Sequence, residues 1–244
     1  MRFALEHSHS KKAIHDRLAQ GPYSNYLRDW IYGGVDGAVT TFAIVAGVVG
    51  ANLSASIIFI LGFANVLADG FAMAAANYSG TKAERDDYER VLSIERRHIA
   101  LEPEGEREEV RQIFAAKGFA GKDLERVVDV ISADPARWVR TMATEEYGLS
   151  PHQRSPLWAA FNTFTAFIVC GCVPLATYLF AGSFLACVLG TGATFFAVGT
   201  VKSRWSPAGW LRSGVETFLI GMGAAALAFA VGFGLRALLK FSVA

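Results

Sequence analysis

Charged side chains are almost missing from two long parts of this sequence. Only Asp36 and Asp69 are charged between Trp30 and Tyr78, and no residue from Leu157 to Val201 is charged. Soluble domains carry roughly 25% charged residues, so neutral stretches of this length are not those of a soluble fold. They are typical of segments that cross a membrane.

An excess of either charge is also lacking, because 23 basic residues face 22 acidic ones. Nucleic-acid binding requires a concentrated basic face, so we expect no nucleic-acid partner.

Cysteine is scarce, and Cys170, Cys172 and Cys187 all lie in apolar runs, where a thiol packs as a small hydrophobe. The first thirty residues lack the apolar core of a cleavable signal peptide, so we expect the first hydrophobic run to act as signal and anchor.

Five segments are apolar and long enough to cross a bilayer, which requires about 20 residues. They are residues 31–51, 55–78, 157–178, 182–201 and 213–236. The sequence therefore predicts an all-α, polytopic membrane protein with five transmembrane helices. Frequent glycine and alanine predict close helix packing in a compact bundle and suggest a dimer seam on the first span. Pro174 is expected to kink or break the third span.

The basic residues predict how the chain is oriented, since lysine and arginine are retained on the cytoplasmic side. With the N-terminus inside, 21 of the 23 basic residues face the cytoplasm, and only Arg236 and Lys240 lie on the opposite side with the C-terminus. We expect a cytoplasmic N-terminal arm (1–29), transmembrane helices 1 and 2 (30–78), a cytoplasmic helical insertion (79–155), for which a metal-binding role is argued below, and transmembrane helices 3 to 5 (156–244).

Polar side chains inside the spans mark candidate functional positions, because an ionised group at bilayer depth is costly without a partner or water. Asp36 lies in the glycine-rich first span. In the second span four polar or soft side chains recur every fourth residue on one helix face: Asn65, Asp69, Met73 and Asn77. One interpretation is that these side chains bind a cation. The alternative is that Asp69 and the two asparagines form hydrogen bonds to neighbouring helices and that Met73 fills a gap in the packing. Glu216, one turn into the fifth span, is either a ligand or a charge that reaches the interface.

The insertion shows helix signals throughout. No glycine or proline interrupts residues 81–101, so we expect the second span to continue as one long helix to about Leu101. Pro103 opens a second helix that Gly118 closes, and a third runs over residues 122–133. A fourth begins at Asp134 and Pro135 and ends near Gly148.

Candidate metal ligands on these helices are three or four residues apart, a spacing that points two side chains at one ion. The sets are Glu95 with His98, Glu106 with Glu109, and Met142 with Glu145 and Glu146, and Glu102 is a further candidate. Imidazole and thioether donors favour a transition metal over magnesium or calcium. The alternative is an ordinary solvated helix surface with ion pairs between successive turns.

Three stretches carry a further signal: DWIYGGVDGAVTTFAIVAGVVGA in the first span, ADGFAMAAANYSGTKAE at the end of the second, and MATEEYGL near the end of the insertion. Together they resemble the vacuolar iron transporter family, whose members export ferrous iron and manganese. The resemblance implies a homodimer with its ion path at the subunit interface, and a cytoplasmic module that gathers metal for exchange with protons. It implies translocation roles for Asp36 and Met73 and metal-ligand roles for Glu95, Glu106, Glu109, Met142 and Glu146. His98 stands where the family usually has glutamate, and Ala143 where it usually has a second methionine.

The sequence thus predicts a transporter, not an enzyme, that moves Fe²⁺ or Mn²⁺ out of the cytoplasm in exchange for protons and holds no prosthetic group. The membrane is then a bacterial inner membrane or a vacuolar membrane. Two alternatives stay open. Glu95 and His98 form the Glu-x-x-His motif of di-iron sites, which would make the protein a membrane-anchored ferroxidase, although such sites normally use the motif twice. The other alternative is a metal sensor or scaffold that transports nothing.

Overall fold

The computed structural model of the protein describes residues 7–21, 24–50 and 53–242, and these residues form helices and short connections without any strand. The helices are α1 (Lys11–Gln20), α2 (Leu27–Gly50), α3 (Ala55–Leu101), α4 (Pro103–Ala116), α5 (Gly121–Ser132), α6 (Pro135–Glu145), α7 (Pro156–Ala181), α8 (Phe184–Lys202) and α9 (Trp210–Ser242). The all-α prediction is therefore confirmed. Ala51 of the first predicted span lies outside the described residues, as do the side chains of Arg236 and Lys240.

The chain divides into two compact units. Tyr26–Lys82 and Ser155–Ala244 form the first, here called the membrane unit, and Met1–Asn25 and Ala83–Arg154 form the second, here called the insertion unit. Five helices are long and apolar enough to cross a membrane: α2, the first part of α3, α7, α8 and α9. The prediction of five transmembrane helices is confirmed, and the protein is an integral, multi-pass membrane protein.

Helix α2 is the central helix of the membrane unit. Half of its apolar window is buried, a larger share than in any other span. Glycine makes this possible, because a Cβ atom on Gly33 would lie 2.3 Å from the carbonyl oxygen of Thr163, and one on Gly37 would lie 2.5 Å from that of Phe167. Backbones that approach this closely leave no room for a side chain. These two glycines of the proposed dimer seam therefore pack α2 against α7 of the same chain.

The apolar core of the membrane unit lies between α2 and its neighbours, with Phe42, Val45, Ile58 and Leu175 among its buried residues. Cys170 and Cys187 are buried in this unit as free thiols and Cys172 is half-buried, in agreement with the packing role predicted for them. The expected break at Pro174 is absent, since α7 runs through it. The hydroxyl of Thr177 lies within hydrogen-bonding distance of the carbonyls of Val173 (2.9 Å) and Pro174 (3.1 Å), one turn earlier on the same helix.

In the insertion unit, the helix boundaries follow local signals read from the sequence. Helix α3 runs unbroken to Leu101, as predicted. Pro103 is the first residue of α4, and Asp134 caps α6 by accepting a hydrogen bond from the N–H of Ala136 (2.9 Å). Gly118 and Gly148 adopt φ angles of 95° and 66°, a left-handed conformation that favours glycine and ends the preceding helices.

One helix was not predicted. Residues Lys11–Gln20 of the polar N-terminal arm form α1, whose cap is Ser10, with its hydroxyl accepting a hydrogen bond from the N–H of Ala13 (3.2 Å). The arm contains no apolar periodicity strong enough to indicate a helix, but a serine cap before a lysine pair was an available signal. His15 lies on this helix, while His7 and His9 precede it.

Candidate metal-binding sites

The sharp turn between α3 and α4 builds the candidate site of the insertion unit. Glu102 is the single residue between the two helices, and its N–H donates to the carbonyl of His98 (2.8 Å). Pro103 has no N–H to give, so it ends α3 and is suited to the first turn of α4. The reversal brings the last two turns of α3, which carry Glu95 and His98, next to the first turn of α4, which carries Glu106.

Glu95, His98 and Glu106 converge. Their ligand atoms all lie within 4.8 Å of one another. The Nδ1 atom of His98 is 3.4 Å from Oε1 of Glu106 and 3.8 Å from Oε1 of Glu95. Two carboxylates and an imidazole at these separations are the donor set and spacing of a transition-metal site.

Buried carboxylate oxygens give the second reason to place a cation here. Glu95 is wholly buried and Glu106 is 5% exposed, which is unusual for glutamate. The Oε2 atom of each is buried without a hydrogen-bond partner among the residues that the structure describes. Buried polar atoms nearly always have a partner, and a bound cation would supply one for both oxygens at once.

The electrostatics of the site extend it to two further carboxylates. Burial, followed by the negative charges of Glu95, Glu109 and Glu146, raises the pKa of Glu106 to about 7. Burial and the charges of Glu109 and Glu95 also raise the pKa of Glu146, while His98 opposes them. Glu109 and Glu146 are exposed but act on the buried pair, so we define the carboxylate cluster as Glu95, His98, Glu106, Glu109 and Glu146.

Basic side chains of α4 are engaged with other partners. Arg107 pairs with Asp129 (2.6 Å) and Arg111 with Glu125 (2.9 Å), both on α5. Arg111 also pairs with Glu108 one turn earlier on α4, as the alternative of a solvated surface with ion pairs between successive turns predicts. Because these two arginines pair with carboxylates of α5, their charges are not used to pair with Glu95 or Glu106.

Three further predicted ligands of the insertion are Met142, Glu145 and Glu102. The side chain of Met142 is fully buried in an apolar cluster with Val110, Val128, Ile131 and Trp138. Glu145 forms a salt bridge with Lys117. Glu102 is exposed at the start of α4 and caps no N–H with its side chain.

Tyr147 belongs to the surroundings of the cluster, and sequence reasoning missed it. Its hydroxyl donates to Oε1 of Glu95 (3.1 Å). Burial, with the charges of Glu95 and Glu146, raises the pKa of Tyr147 to about 12, so the phenol keeps the proton that it donates. Such hydrogen bonds hold a ligand carboxylate in one orientation. The available signals were its position directly after Glu146 and its place in the stretch MATEEYGL.

The candidate site of the membrane unit is a cavity of about 570 Å³ that contains both Asp36 and Met73. It lies between α2, α3, α8 and α9. Its lining is mostly apolar, and the full set is Ile31, Tyr32, Val35, Asp36, Val39, Met73, Lys202, Thr217, Ile220 and Ala224. We call it the Asp36 cavity. A carboxylate and a thioether on one apolar cavity are donors suited to a soft divalent cation.

The polar stripe of the second span divides into different roles. Its four members are all half-buried, as expected for one helix face. Asn77 has the structural role given above as the alternative, because its amide nitrogen lies 2.9 Å from Oδ1 of Asp29, 2.6 Å from Oγ1 of Thr163 and 3.2 Å from the carbonyl of Ala159. This amide links α3 to α2 and α7. Asp69 does not line the cavity that contains Met73.

Two charged groups on α8 and α9 complete the description. Glu216 lies 3.9 Å from Nζ of Lys202, so a basic side chain is its neighbour. Lys202 borders the Asp36 cavity, and sequence reasoning gave it no role beyond orientation. Its only signal was that it is the first charged residue after Arg154.

Fold and sites together define a class: a multi-pass, all-helical membrane protein with a helical insertion that bears a carboxylate cluster. Comparison with known proteins then gives the family. Residues 27–233 match the VIT family. The chain is 34% identical to vacuolar iron transporter 1 of Arabidopsis thaliana over 208 residues, which cover 83% of each protein. It is 34% identical to vacuolar iron transporter 1 of Eucalyptus grandis (83% and 84% covered) and 32% identical to the vacuolar iron transporter of Toxoplasma gondii (86% and 74%). This protein belongs to the VIT family.

Proposed function

We propose that this protein transports Fe²⁺ or Mn²⁺ out of the cytoplasm in exchange for protons. The observation that carries the proposal is the Asp36 cavity, where a carboxylate from α2 and a thioether from α3 border one space within the membrane unit. The names of the relatives, which are vacuolar iron transporters, support iron as cargo.

The chemistry of Asp36 explains how metal and proton would be coupled. An uncompensated carboxylate at bilayer depth is costly, so the group holds either a proton or a cation. A metal ion that arrives from one side displaces the proton, and a proton that arrives from the other side releases the metal. Met73 contributes a sulfur that prefers transition metals to magnesium and calcium, and so adds selectivity.

The carboxylate cluster would gather the cargo. Its two buried carboxylates with unpartnered oxygens favour cation capture, and the raised pKa of Glu106 makes capture dependent on pH. We propose that residues 79–155 form this metal-binding domain on the cytoplasmic side with the N-terminal arm. The C-terminus would lie on the opposite side, in keeping with the distribution of lysine and arginine.

The proposed oligomer is a homodimer. Large apolar side chains of α3 are exposed on the single chain, among them Ile60, Phe63, Leu67 and Phe71. Lipid or a second copy must cover them. A partner placed against α2 and α3 would enclose the ion path that the family resemblance implies.

Transport in proteoliposomes tests the proposal directly. Purified protein is reconstituted, a pH gradient is imposed, and Mn²⁺ or Fe²⁺ flux is followed for the wild type, for Asp36→Asn and for Glu104→Gln, an exposed carboxylate of α4. We expect Asp36→Asn to abolish pH-driven flux and Glu104→Gln to retain it. Undiminished, pH-coupled flux in Asp36→Asn would end the proposal.

The same preparation separates the two alternatives. A ferroxidase would consume oxygen when Fe²⁺ is added, and a sensor or scaffold would bind metal without flux. The motif Glu95-x-x-His98 occurs once in the cluster, whereas a di-iron site normally needs it twice. We therefore expect flux without stoichiometric oxygen consumption.

A further inference from the structure

Lys202 is the one basic side chain that lines the Asp36 cavity in the described part of the chain. It is the last residue of α8 and borders the same space as Asp36 and Met73. A positive charge beside a site proposed for cations is unfavourable to the cargo, since it repels a divalent ion. Its presence there calls for a functional reason.

Glu216 is a second carboxylate with which the ammonium of Lys202 can pair. The Nζ atom of Lys202 lies 3.9 Å from Oε1 of Glu216, at the outer limit of an ion pair, and the two side chains are 35% and 54% exposed. A pair this long and this exposed is weakly held. Thr217, the next residue of α9, lines the cavity. Lysine has a long flexible stem, which lets its ammonium change partners.

We propose that Lys202 is a specificity-determining residue of the transport site: a tethered counter-cation that neutralises Asp36 when this carboxylate holds neither metal nor proton, and that withdraws to Glu216 when a divalent ion binds. This rests on the proposed function. A tethered ammonium has a high effective concentration at Asp36, so it outcompetes free Na⁺ and K⁺, which carry the same charge. A divalent ion carries twice the charge and also gains the Met73 sulfur, so it displaces Lys202.

The proposal predicts opposite effects for the two partners. Lys202→Gln removes the competitor, so the KM for Mn²⁺ or Fe²⁺ should fall at least about threefold and Na⁺ should become an inhibitor of flux. Glu216→Gln removes the withdrawn position, so the KM should rise at least about threefold. The double variant should behave like Lys202→Gln, because Glu216 then has no lysine to hold. Lys202→Arg keeps the charge and should keep Na⁺ from inhibiting.

Flux in proteoliposomes, measured over a range of metal and Na⁺ concentrations, tests these signs with full-length protein. Arg204→Gln, in the short turn Ser203–Trp205 after α8, removes a nearby charge that does not line the cavity and serves as the matched control. Gel filtration confirms that each variant is folded. Two results would overturn the role of Lys202 and leave the proposed function intact. One is a KM change of the same sign in Lys202→Gln and Glu216→Gln, and the other is an Arg204→Gln variant that behaves like Lys202→Gln. A wild type without flux would overturn the proposed function as well.

Discussion

Replacing Glu106 with glutamine should remove most of the pH dependence of metal binding to the carboxylate cluster. Glu106 is buried beside three other carboxylates, which together with burial raise its pKa to about 7. Metal binding requires the ionised carboxylate, so near neutral pH the metal must displace a proton. Glutamine keeps the shape of the side chain but has no proton to exchange.

The size of the effect follows from the ionised fraction. With a pKa of about 7, Glu106 is about one-tenth ionised at pH 6 and about nine-tenths ionised at pH 8. Proton competition at this single group therefore weakens apparent metal affinity roughly tenfold at pH 6 relative to pH 8. A carboxyl group with the usual pKa of 4.5 would be ionised at both pH values, and it would contribute almost nothing to the pH dependence of metal affinity.

Isothermal titration of the detergent-solubilised protein with Mn²⁺ at pH 6 and pH 8 measures this ratio. Titrations in buffers of different ionisation enthalpy also count the protons released. Glu106→Gln should bind Mn²⁺ more weakly than the wild type at both pH values. The ratio of its affinity at pH 8 to its affinity at pH 6 should be about tenfold smaller than that of the wild type. Glu104→Gln, on the same helix but exposed, should keep the wild-type ratio. An unchanged ratio in Glu106→Gln would refute the assignment of the proton to this group.

Two further substitutions test the packing and the surroundings of the sites. Gly37→Ala places a Cβ atom 2.5 Å from the carbonyl oxygen of Phe167, whereas Gly47→Ala, also in α2, meets nothing within 4 Å. Overpacking costs about 1–3 kcal/mol, so Gly37→Ala should unfold several degrees below Gly47→Ala on heating in detergent, and equal unfolding temperatures would contradict the close α2–α7 contact. Tyr147→Phe loses the hydrogen bond to Glu95 and should weaken metal binding about tenfold by titration, while an unchanged affinity would deny it a positioning role.

Helix boundaries and membrane spans could be predicted from the sequence because their causes are local. Hydropathy over about 20 residues identifies a span whatever lies beside it. Proline at the start of α4 and glycine after α6 act through their own backbone chemistry, so their effect is visible in the sequence. The helix α1 was missed because its sequence is mostly polar, with only Ile14 and Leu18 as large apolar residues at helical spacing.

The sites could be predicted only in part. Spacing along one helix identified Glu95 with His98, and the stripe that contains Met73, since residues three or four apart share a face. Spacing could not tell that Asn77 of that stripe links three helices, or that Met142 lies in the apolar cluster. The surroundings of both side chains depend on which helices pack against their own helix.

The sequence by itself determined that this chain is a bundle of membrane-crossing helices with a charged helical insertion, and which polar groups lie within it. The tertiary structure alone decided that Gly33 and Gly37 meet α7, that Tyr147 bonds Glu95, and that Lys202 borders the cavity of Asp36. Periodicity fixes the direction in which a side chain leaves its own helix. Its partner is set by the packing of helices that are distant in sequence, and no local pattern encodes that choice.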